Sequence, residues 1–287
     1  MNLEPITDMP IIHDTFSSYI DPHLDIDAYH ADRDSISKTG LDLIDKAPAI
    51  FRAWQSPDAP ERVAKPGQLE GSLAHCAILE PDEFSKRYVV GPAVSRVTKE
   101  WKAFEADLAP GIVGIKPDQY EVAMRQADSV RRIAQIAELL SSGRPEVSAF
   151  WTDPETGVKC RCRPDWNHPC GDSGVILGDV KTFGDVSAHE FSRQVARKAY
   201  AKQDGFYSDG FQIASGLEVL AFIFIAVSMD YPYPAAAYML DDASKDAGRR
   251  HYHRNLNTYA ECLKSGVWPG YGDGIKLISL PNWALTE

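Results

Sequence analysis

Three short runs in the middle of the chain, joined by turn-forming residues, constrain the fold most. The runs are Glu146–Thr152, Val158–Trp166 and Val175–Thr182, and the connections between them are rich in Asp, Asn, Pro and Gly. Runs of this length and composition are typical of β-strands, and connections this short favour antiparallel hairpins. We therefore predict a sheet at the centre of the chain.

Helix-forming segments flank these strands in the sequence. The spacing of apolar residues predicts helices from Ser37 to just before Pro48, over Gln68–Glu80 and over Pro117–Leu140. Beyond the third run, a helix is predicted to begin at Ser187-Ala188-His189-Glu190, and a second helix covers Ala199–Ser215. Two strands follow, Val219–Ser228 and Ala235–Leu240. The last predicted helix covers Asp242–Ser265 and ends at Gly266. This order predicts an α/β (α+β) fold with a mixed central β-sheet flanked by helices.

The length and composition of the chain fit one globular core with appendages. It has 287 residues, of which 44% are hydrophobic, and this excludes a disordered or fibrous protein. We predict an N-terminal arm and helix over residues 1–66 and a core over residues 67–266. A C-terminal tail over residues 267–287 is predicted to pack on that core.

Composition also indicates where the protein acts. The longest apolar stretch, Leu217–Met229, is interrupted by Glu218 and falls short of the roughly 20 residues that cross a bilayer. The N-terminus has neither the basic nor the apolar part of a secretory signal. Five cysteines, an odd number, fit reduced thiols better than disulfides. We expect a cytoplasmic protein that does not enter the membrane.

The net charge of −11 limits how the chain could bind nucleic acid. Non-specific affinity for DNA comes from Lys and Arg side chains that neutralise phosphates, so a protein coated with nucleic acid is disfavoured. An enzyme that passes DNA through one locally basic channel is still allowed, because net charge is not local charge.

Asp179 and Lys181 are the first candidates for chemistry. They lie two residues apart in the third predicted strand and therefore project from the same face. In the preceding run, Arg161, Arg163 and Asp165 share one parity, so a suitable hairpin register would bring Asp165 beside the pair. An ordinary ion pair is the commoner explanation of Asp-x-Lys, and other motifs are needed to favour a functional one.

Four motifs occur in one order along the chain: Gly71-x-x-x-His75, Arg163-Pro164-Asp165, Asp179-Val180-Lys181 and Gln203-x-x-x-Tyr207. Together they resemble the PD-(D/E)XK nuclease superfamily, and in particular its exonuclease branch, typified by the RecE exodeoxyribonuclease VIII and by the RecB and lambda exonuclease nucleases. The match spans about half the chain. Flanking segments agree with the RecE-type phage recombination exonucleases: Ile36-Ser37-Lys38, Glu146-Val147-Ser148, Trp268-Pro269-Gly270-Tyr271 and Leu280-Pro281-Asn282-Trp283.

The resemblance implies a restriction-endonuclease-like core and a metal site. Carboxylate oxygens select Mg²⁺, with Mn²⁺ as a substitute, so Asp165 and Asp179 are the expected ligands. The carbonyl of Val180 and the imidazole of His75 are implied as further ligands. Lys181 is expected to orient or activate the attacking water, with its proton affinity lowered by burial and by the neighbouring cation.

For the remaining candidates, the sequence leaves a functional and a structural role open. Gln203 and Tyr207 are four apart on one predicted helix face, where they could present an amide and a hydroxyl to one phosphate or water. Glu146 matches an extra acidic position of the family, although a Glu at the start of a strand is usually solvated. Arg161 and Arg163 are either DNA phosphate contacts or ordinary strand charges.

A zinc site is a weaker interpretation of the same region. Cys160, Cys162, His168 and Cys170 lie close together in the sequence, but the spacing of the first two is unlike that of zinc knuckles. The aromatic residues Trp268, Tyr271 and Trp283 could stack on bases, although anchoring the last helix is the simpler role.

The resemblance implies a metal-dependent exonuclease that degrades linear double-stranded DNA, 5′ to 3′, in phage-type homologous recombination. The alternatives are a structure-selective endonuclease of the same fold and a non-catalytic DNA-end-binding recombination protein. The implied partners are DNA ends, identical subunits arranged as a ring around the duplex, and a single-strand annealing protein. The N-terminal arm and the C-terminal tail are the candidates for contacts between subunits.

Overall fold

The structure is a computed structural model that describes residues 18–60, 63, 66–272, 274–281 and 285. The first half of the predicted arm and the terminal Asn282-Trp283 pair lie outside the described residues. The strands are β1 Tyr19–Asp21, β2 Tyr88–Val90, β3 Val113–Ile115, β4 Arg144–Pro145, β5 Ser148–Thr152, β6 Lys159–Cys162, β7 Trp166–Cys170, β8 Gly174–Phe183, β9 Glu218–Ser228 and β10 Ala235–Tyr238. The helices are α1 Ile26–Ala31, α2 Lys38–Lys46, α3 Pro48–Trp54, α4 Gln68–Leu79, α5 Pro81–Arg87, α6 Lys99–Ala106, α7 Pro117–Arg131, α8 Ala134–Leu139, α9 Ala188–Lys198, α10 Tyr200–Ser215 and α11 Asp242–Ser265.

A five-stranded mixed sheet forms the centre of the fold, in the order β10-β9-β8-β7-β4. Strands β8 and β9 are parallel, and the other pairs in this sheet are antiparallel. Smaller sheets have the order β1-β5-β6 and β2-β3. One apolar core packs the α10, α11 and α2 side of the sheet, and a second packs the α4 and α7 side. The predicted mixed sheet between helices is confirmed.

The second predicted strand, Val158–Trp166, is wrong as a single strand. Strand β6 ends at Cys162 and pairs with β5, whereas β7 begins at Trp166 and pairs with β8 in another sheet. Pro164 lies in the break, where it has no N–H to offer to a ladder. Arg161, Arg163 and Asp165 therefore do not project from one face of a single strand as predicted, because the strand ends between them.

One predicted helix agrees closely with the structure, and another is divided. Helix α11 has the predicted limits: the Asp241 side chain accepts a hydrogen bond from the Ser244 N–H at 2.8 Å, and Gly266 ends the helix with φ 71°. The predicted helix over Pro117–Leu140 is divided at Ile133, whose φ of −80° and ψ of 102° interrupt it between α7 and α8.

The described part of the predicted arm packs on the core. Strand β1 pairs antiparallel with β5, and Tyr29 of α1 is buried. Apolar residues that are too few for a periodic pattern can still fill a preformed surface, and the sequence pattern could not indicate this. The proposed limits of arm, core and tail stay predictions.

The last helix is anchored by the chain that follows it. The Trp268 ring stacks on Phe51 at 5.9 Å and lies 6.0 Å from the Tyr259 ring, and the Ala49 N–H donates to the Pro269 carbonyl. Tyr271 is exposed. None of the described helices combines the length and apolar character needed to cross a membrane.

Candidate active site

The site lies where the ladder between β7 and β8 stops. The two strands pair up to Trp166 and Gly178, whereas β8 continues beside β9 to Phe183. Beyond the last pair, the Val180 N–H donates to the Asp165 side chain, at 2.7 Å from Oδ2. A side-chain carboxylate thus takes the place of the missing strand partner, and this fixes Asp165 against the middle of β8.

Asp179 and Lys181 project from the face of β8 that is covered by α10. Asp179 is only 2% exposed, and its Oδ1 accepts a hydrogen bond from Gln203 Nε2 at 2.5 Å. Its second oxygen forms an ion pair with Lys181 Nζ. The predicted proximity of Asp165, Asp179 and Lys181 is therefore present, and Gln203 holds Asp179 rather than facing solvent.

His75 approaches from α4, on the other face of β8. Its Nε2 lies 3.0 Å from the Val180 carbonyl oxygen, and its Nδ1 lies 3.5 Å from Asp165 Oδ2. Burial, and next the ammonium of Lys181, lower the pKa of His75. A neutral imidazole is the form that binds metal ions.

Glu146 joins His75 and Asp165 from the segment before β5. Its backbone has a left-handed φ of 54°, which is unusual for a residue other than glycine. Its N–H donates to the Asp165 carbonyl at 3.1 Å, and its carboxylate accepts from Arg163 Nε at 2.9 Å. These contacts turn Glu146 toward the site instead of leaving it as a solvated strand-start residue.

One ligand atom from each of His75, Glu146 and Asp165 can be chosen so that all three lie within 4.8 Å of one another. Two carboxylates and an imidazole fit a hard divalent cation. This set differs from the predicted ligands because it includes Glu146, whereas both oxygens of Asp179 are engaged by Gln203 and Lys181. The Val180 carbonyl lies beside the set through its contact with His75.

The surroundings of the two carboxyl groups in this cluster disfavour their ionised form. Burial, and next Asp165, raise the pKa of Glu146 to about 7 despite Arg163. Burial, and next Asp179, raise the pKa of Asp165 well above its usual range. A bound cation would relieve both effects, because a nearby positive charge favours the ionised form.

Lys181 departs from the predicted shift in proton affinity. Burial acts to lower its pKa, but the carboxylates of Asp179 and Asp165 outweigh burial and raise it. The expected lowering rested on burial together with a neighbouring cation, and in the protein alone the two carboxylates outweigh burial.

The two predicted phosphate-binding arginines have different surroundings. Arg161 is buried, with its guanidinium against Asp32 and Ser35 and 5.1 Å from the Tyr29 ring centre, and these surroundings oppose its predicted contact with DNA phosphates. Arg163 also donates to Ser148 Oγ at 2.8 Å, but it borders an open cleft. The folded N-terminal segment, which the sequence pattern did not indicate, covers Arg161 and causes this difference.

A cleft of about 1030 Å³ opens beside the cluster. Its lining includes His75, Glu146 and Arg163, together with residues 22–26 and Arg144. The contribution of the N-terminal segment was not expected from the sequence, since its residues carry no motif.

Tyr207 is half-buried on α10, where it packs against Phe206 and Phe222. Burial raises its pKa, with smaller contributions from other groups that include Asp179 and Asp165. Sequence reasoning missed Tyr200, whose ring centre lies 4.8 Å from Lys181 Nζ. Its spacing to Gln203 and Tyr207 on one helix face was the signal that could have found it.

The cysteine motif is structural in the described part of the chain. Cys160 and Cys162 are buried in the core, and His168 Nδ1 lies 2.9 Å from the Ser142 carbonyl. Among the described residues, the cluster of potential ligands is that of His75, Glu146 and Asp165 rather than the cysteine set.

The PD-(D/E)XK nuclease fold is defined by a mixed sheet of this topology. It carries an Asp-x-Lys pair on a central strand and acidic residues where the ladder to the neighbouring strand ends. The chain belongs to the family of the PDDEXK-like domain of unknown function DUF3799, whose model matches residues 37–281. This confirms the superfamily resemblance. Searching the curated proteins gives no match.

Solved structures agree with the fold assignment. A candidate exonuclease from Eubacterium rectale is 13% identical, with a TM-score of 0.61, and the match covers 92% of this chain and 98% of that one. An alkaline exonuclease from Laribacter hongkongensis is 15% identical over 65% of this chain and 97% of its own, with a TM-score of 0.23. The first likeness shows a shared fold, and the second is too low in TM-score to add to it. Fold and family together support a nuclease.

Proposed function

We propose that this protein is a Mg²⁺-dependent exonuclease that hydrolyses phosphodiester bonds of linear double-stranded DNA. The observation that carries the proposal is the convergence of Asp165, Asp179 and Lys181 at the open end of the β7–β8 ladder, with His75 and Glu146 beside them. Phosphodiester hydrolysis needs a nucleophilic water and a group that stabilises the charge developing on phosphate, and this set of residues can provide for both.

Different residues bind the cation and orient the water in the proposed reaction. His75, Glu146 and Asp165 would hold the cation, which when bound supplies charge stabilisation and lowers the pKa of a water ligand. Asp179, fixed by Gln203, holds Lys181 at the same place. Lys181 then orients the attacking water by donating a hydrogen bond to it. Mn²⁺ should substitute for Mg²⁺, because both prefer oxygen ligands.

The finer parts of the proposal rest on the resemblance to RecE-type exonucleases. They are 5′ to 3′ polarity, a role in phage-type homologous recombination in a bacterial or phage-infected cytosol, and a single-strand annealing protein as partner. The motifs His75, Asp165, Asp179-Val180-Lys181 and Gln203-x-x-x-Tyr207 support them. The Eubacterium rectale protein of similar fold is also named as a candidate exonuclease.

A ring of identical subunits completes the proposal. At a net charge of −11, an isolated monomer repels DNA, whereas a ring can gather basic groups around the duplex and leave its acidic faces outside. Light scattering at micromolar concentration should give a mass several times 31.8 kDa. A monomeric mass combined with processive degradation would contradict the ring.

The test uses linear, nicked and circular duplexes, each labelled at the 5′ or the 3′ end where it has one. With Mg²⁺, the wild-type protein should release nucleotides from linear DNA only, from the 5′ end, and EDTA should stop the reaction. The matched control is Asp165→Asn, which keeps an oxygen to accept from the Val180 N–H. Cleavage of circular DNA would instead indicate an endonuclease, and end binding without cleavage would indicate a recombination protein without catalysis.

A further inference from the structure

Tyr200 lies at a sharp turn between two helices. Helix α9 ends at Lys198, and Ala199 takes a left-handed conformation with φ 52° before α10 begins at Tyr200. This single residue changes the chain direction so that the Tyr200 ring lies beside β8. The aromatic side chain is therefore placed by backbone geometry and does not depend on a flexible loop.

The Tyr200 ring contacts the ammonium of Lys181. Lys181 Nζ is 4.8 Å from the ring centre, within the range in which a cation is attracted to an aromatic face. Phe224 stacks with the same ring at 5.7 Å and an interplanar angle of 28°, and Phe224 is fully buried. The ring is thus supported from the core and cannot easily move away from the ammonium.

Lys181 needs such a support because its side chain is long and has several rotatable bonds. Its ammonium has three N–H donors. The ammonium forms an ion pair with Asp179, and the centre of the Tyr200 ring lies 4.8 Å from it. In the proposed reaction, a further N–H of this ammonium donates to the attacking water.

We propose that Tyr200 is a positioning residue, whose ring face holds the Lys181 ammonium in the orientation that its catalytic role requires. This inference rests on the proposed nuclease function, since it assigns how one of its groups is oriented. The electrostatic attraction of the ring is the active property, whereas the hydroxyl is dispensable.

Lys38 provides an internal contrast on the same ring. Its Nζ lies 6.0 Å from the Tyr200 ring centre, but it also donates to the Lys198 carbonyl at 3.1 Å and pairs with Asp42 at 2.9 Å. Those contacts fix Lys38 without the ring. Lys181, by comparison, has the Asp179 carboxylate and the ring as its described contacts.

The experiment replaces Tyr200 by phenylalanine and by mono-, di- and trifluorophenylalanine, which keep the ring shape but progressively weaken its negative face. Tyr200→Phe should keep kcat within about threefold of wild type. The trifluoro variant and Tyr200→Leu should lose roughly 10- to 30-fold in kcat, as expected for a desolvated cation–π contact. KM for DNA should stay unchanged in all of them.

The control places the same fluorinated series at Phe191, which packs against the Tyr200 and Phe224 rings in the same aromatic cluster. Fluorination there changes packing and should leave kcat within about twofold. A fall in kcat that follows fluorination equally at both positions would overturn the inference, as would a flat response at Tyr200.

A second measurement does not depend on activity. In lysine-labelled protein, the Lys181 resonances, assigned with Lys181→Arg, should show a ring-current shift that Tyr200→Leu removes and Tyr200→Phe keeps. If wild-type protein fails to cleave DNA but shows this shift, the nuclease proposal fails and the contact stands. If it cleaves DNA but shows no shift, the positioning role fails alone.

Discussion

The two sides of strand β8 carry different kinds of charge arrangement. On the α10 side, Asp179 is paired with Lys181 and bonded to Gln203, and the Tyr200 ring covers the ammonium. On the α4 side, Glu146 and Asp165 have raised pKa values, and Glu146 lines an open cleft together with His75. The charges of the first arrangement are paired within the protein, whereas a bound cation would stabilise the second.

This difference separates orientation from binding. Paired charges that are buried together keep a fixed geometry, since leaving either one unpaired in the interior is costly. Carboxyl groups with raised pKa values instead gain from a divalent cation, whose charge replaces the bound protons. We therefore expect substitutions on the two sides to affect metal binding and turnover differently.

The largest effect is expected from Asp165→Asn. The amide oxygen can still accept from the Val180 N–H, but the negative charge in the cation site is lost. Cleavage should fall by about 1,000-fold or more, because metal-assisted charge stabilisation is lost. Calorimetry with Mn²⁺ should show the matching loss of affinity, and circular dichroism should show an unchanged fold. Wild-type turnover would refute this site assignment.

Lys181→Ala should have the next largest effect and should act on turnover only. Losing a group that orients the water should reduce kcat by roughly 100- to 1,000-fold, which corresponds to about 3 to 4 kcal/mol of barrier. Because Lys181 lies on the orienting side, Mn²⁺ affinity should stay within about threefold. If metal affinity disappears together with the rate, the division between the two sides is wrong.

The affinity for metal should rise with pH until the carboxyl groups are ionised. The pKa of Glu146 is about 7 in the protein, so protons compete with the cation below that pH. Between pH 6 and 7 we expect about a fivefold gain in Mn²⁺ affinity, because the ionised fraction of a carboxyl with a pKa of about 7 rises from about one in eleven to one half. Calorimetry in buffers of different ionisation enthalpy measures that proton release, and a flat pH profile would contradict it.

In the metal-free protein, the raised pKa of Glu146 makes the folded state less stable as the pH rises. The ordinary pKa of a Glu carboxyl is 4.5, and the folded protein raises that of Glu146 to about 7. Protonation of Glu146 therefore stabilises the folded state fully below pH 4.5, and this stabilisation is lost as the pH rises through about 7. Adding Mn²⁺ should therefore increase the melting temperature more at pH 8 than at pH 5. An equal increase at both values would contradict the raised pKa.

The smallest effect is expected at the turn that leads into α10. Ala199 has a left-handed φ of 52°, which is unfavourable for alanine. Ala199→Gly should stabilise the protein by about 0.5 to 1 kcal/mol, since glycine adopts this conformation without steric cost. The matched control is Ala201→Gly within α10, which should destabilise by about 1 kcal/mol. Chemical denaturation compares the two, and changes of the same sign would argue against strain at Ala199.

The sequence by itself determined the elements whose signals are local. Helical spacing and capping residues gave the limits of α11, and alternation within one strand placed Asp179 and Lys181 on a common face. The four ordered motifs were sufficient to identify the nuclease superfamily, which the family match confirms. The catalytic roles of these residues stay predictions.

Only the tertiary structure decided which of these residues lie in contact with one another. His75 and Val180 are 105 positions apart, and Gln203 contacts Asp179 across 24 positions. The folded N-terminal segment covers Arg161, whereas Arg163 contacts the Glu146 carboxylate. Local spacing fixes the direction of a side chain relative to its own strand or helix. The packing of segments distant in sequence decides which side chain lies opposite it, and no local pattern contains that information.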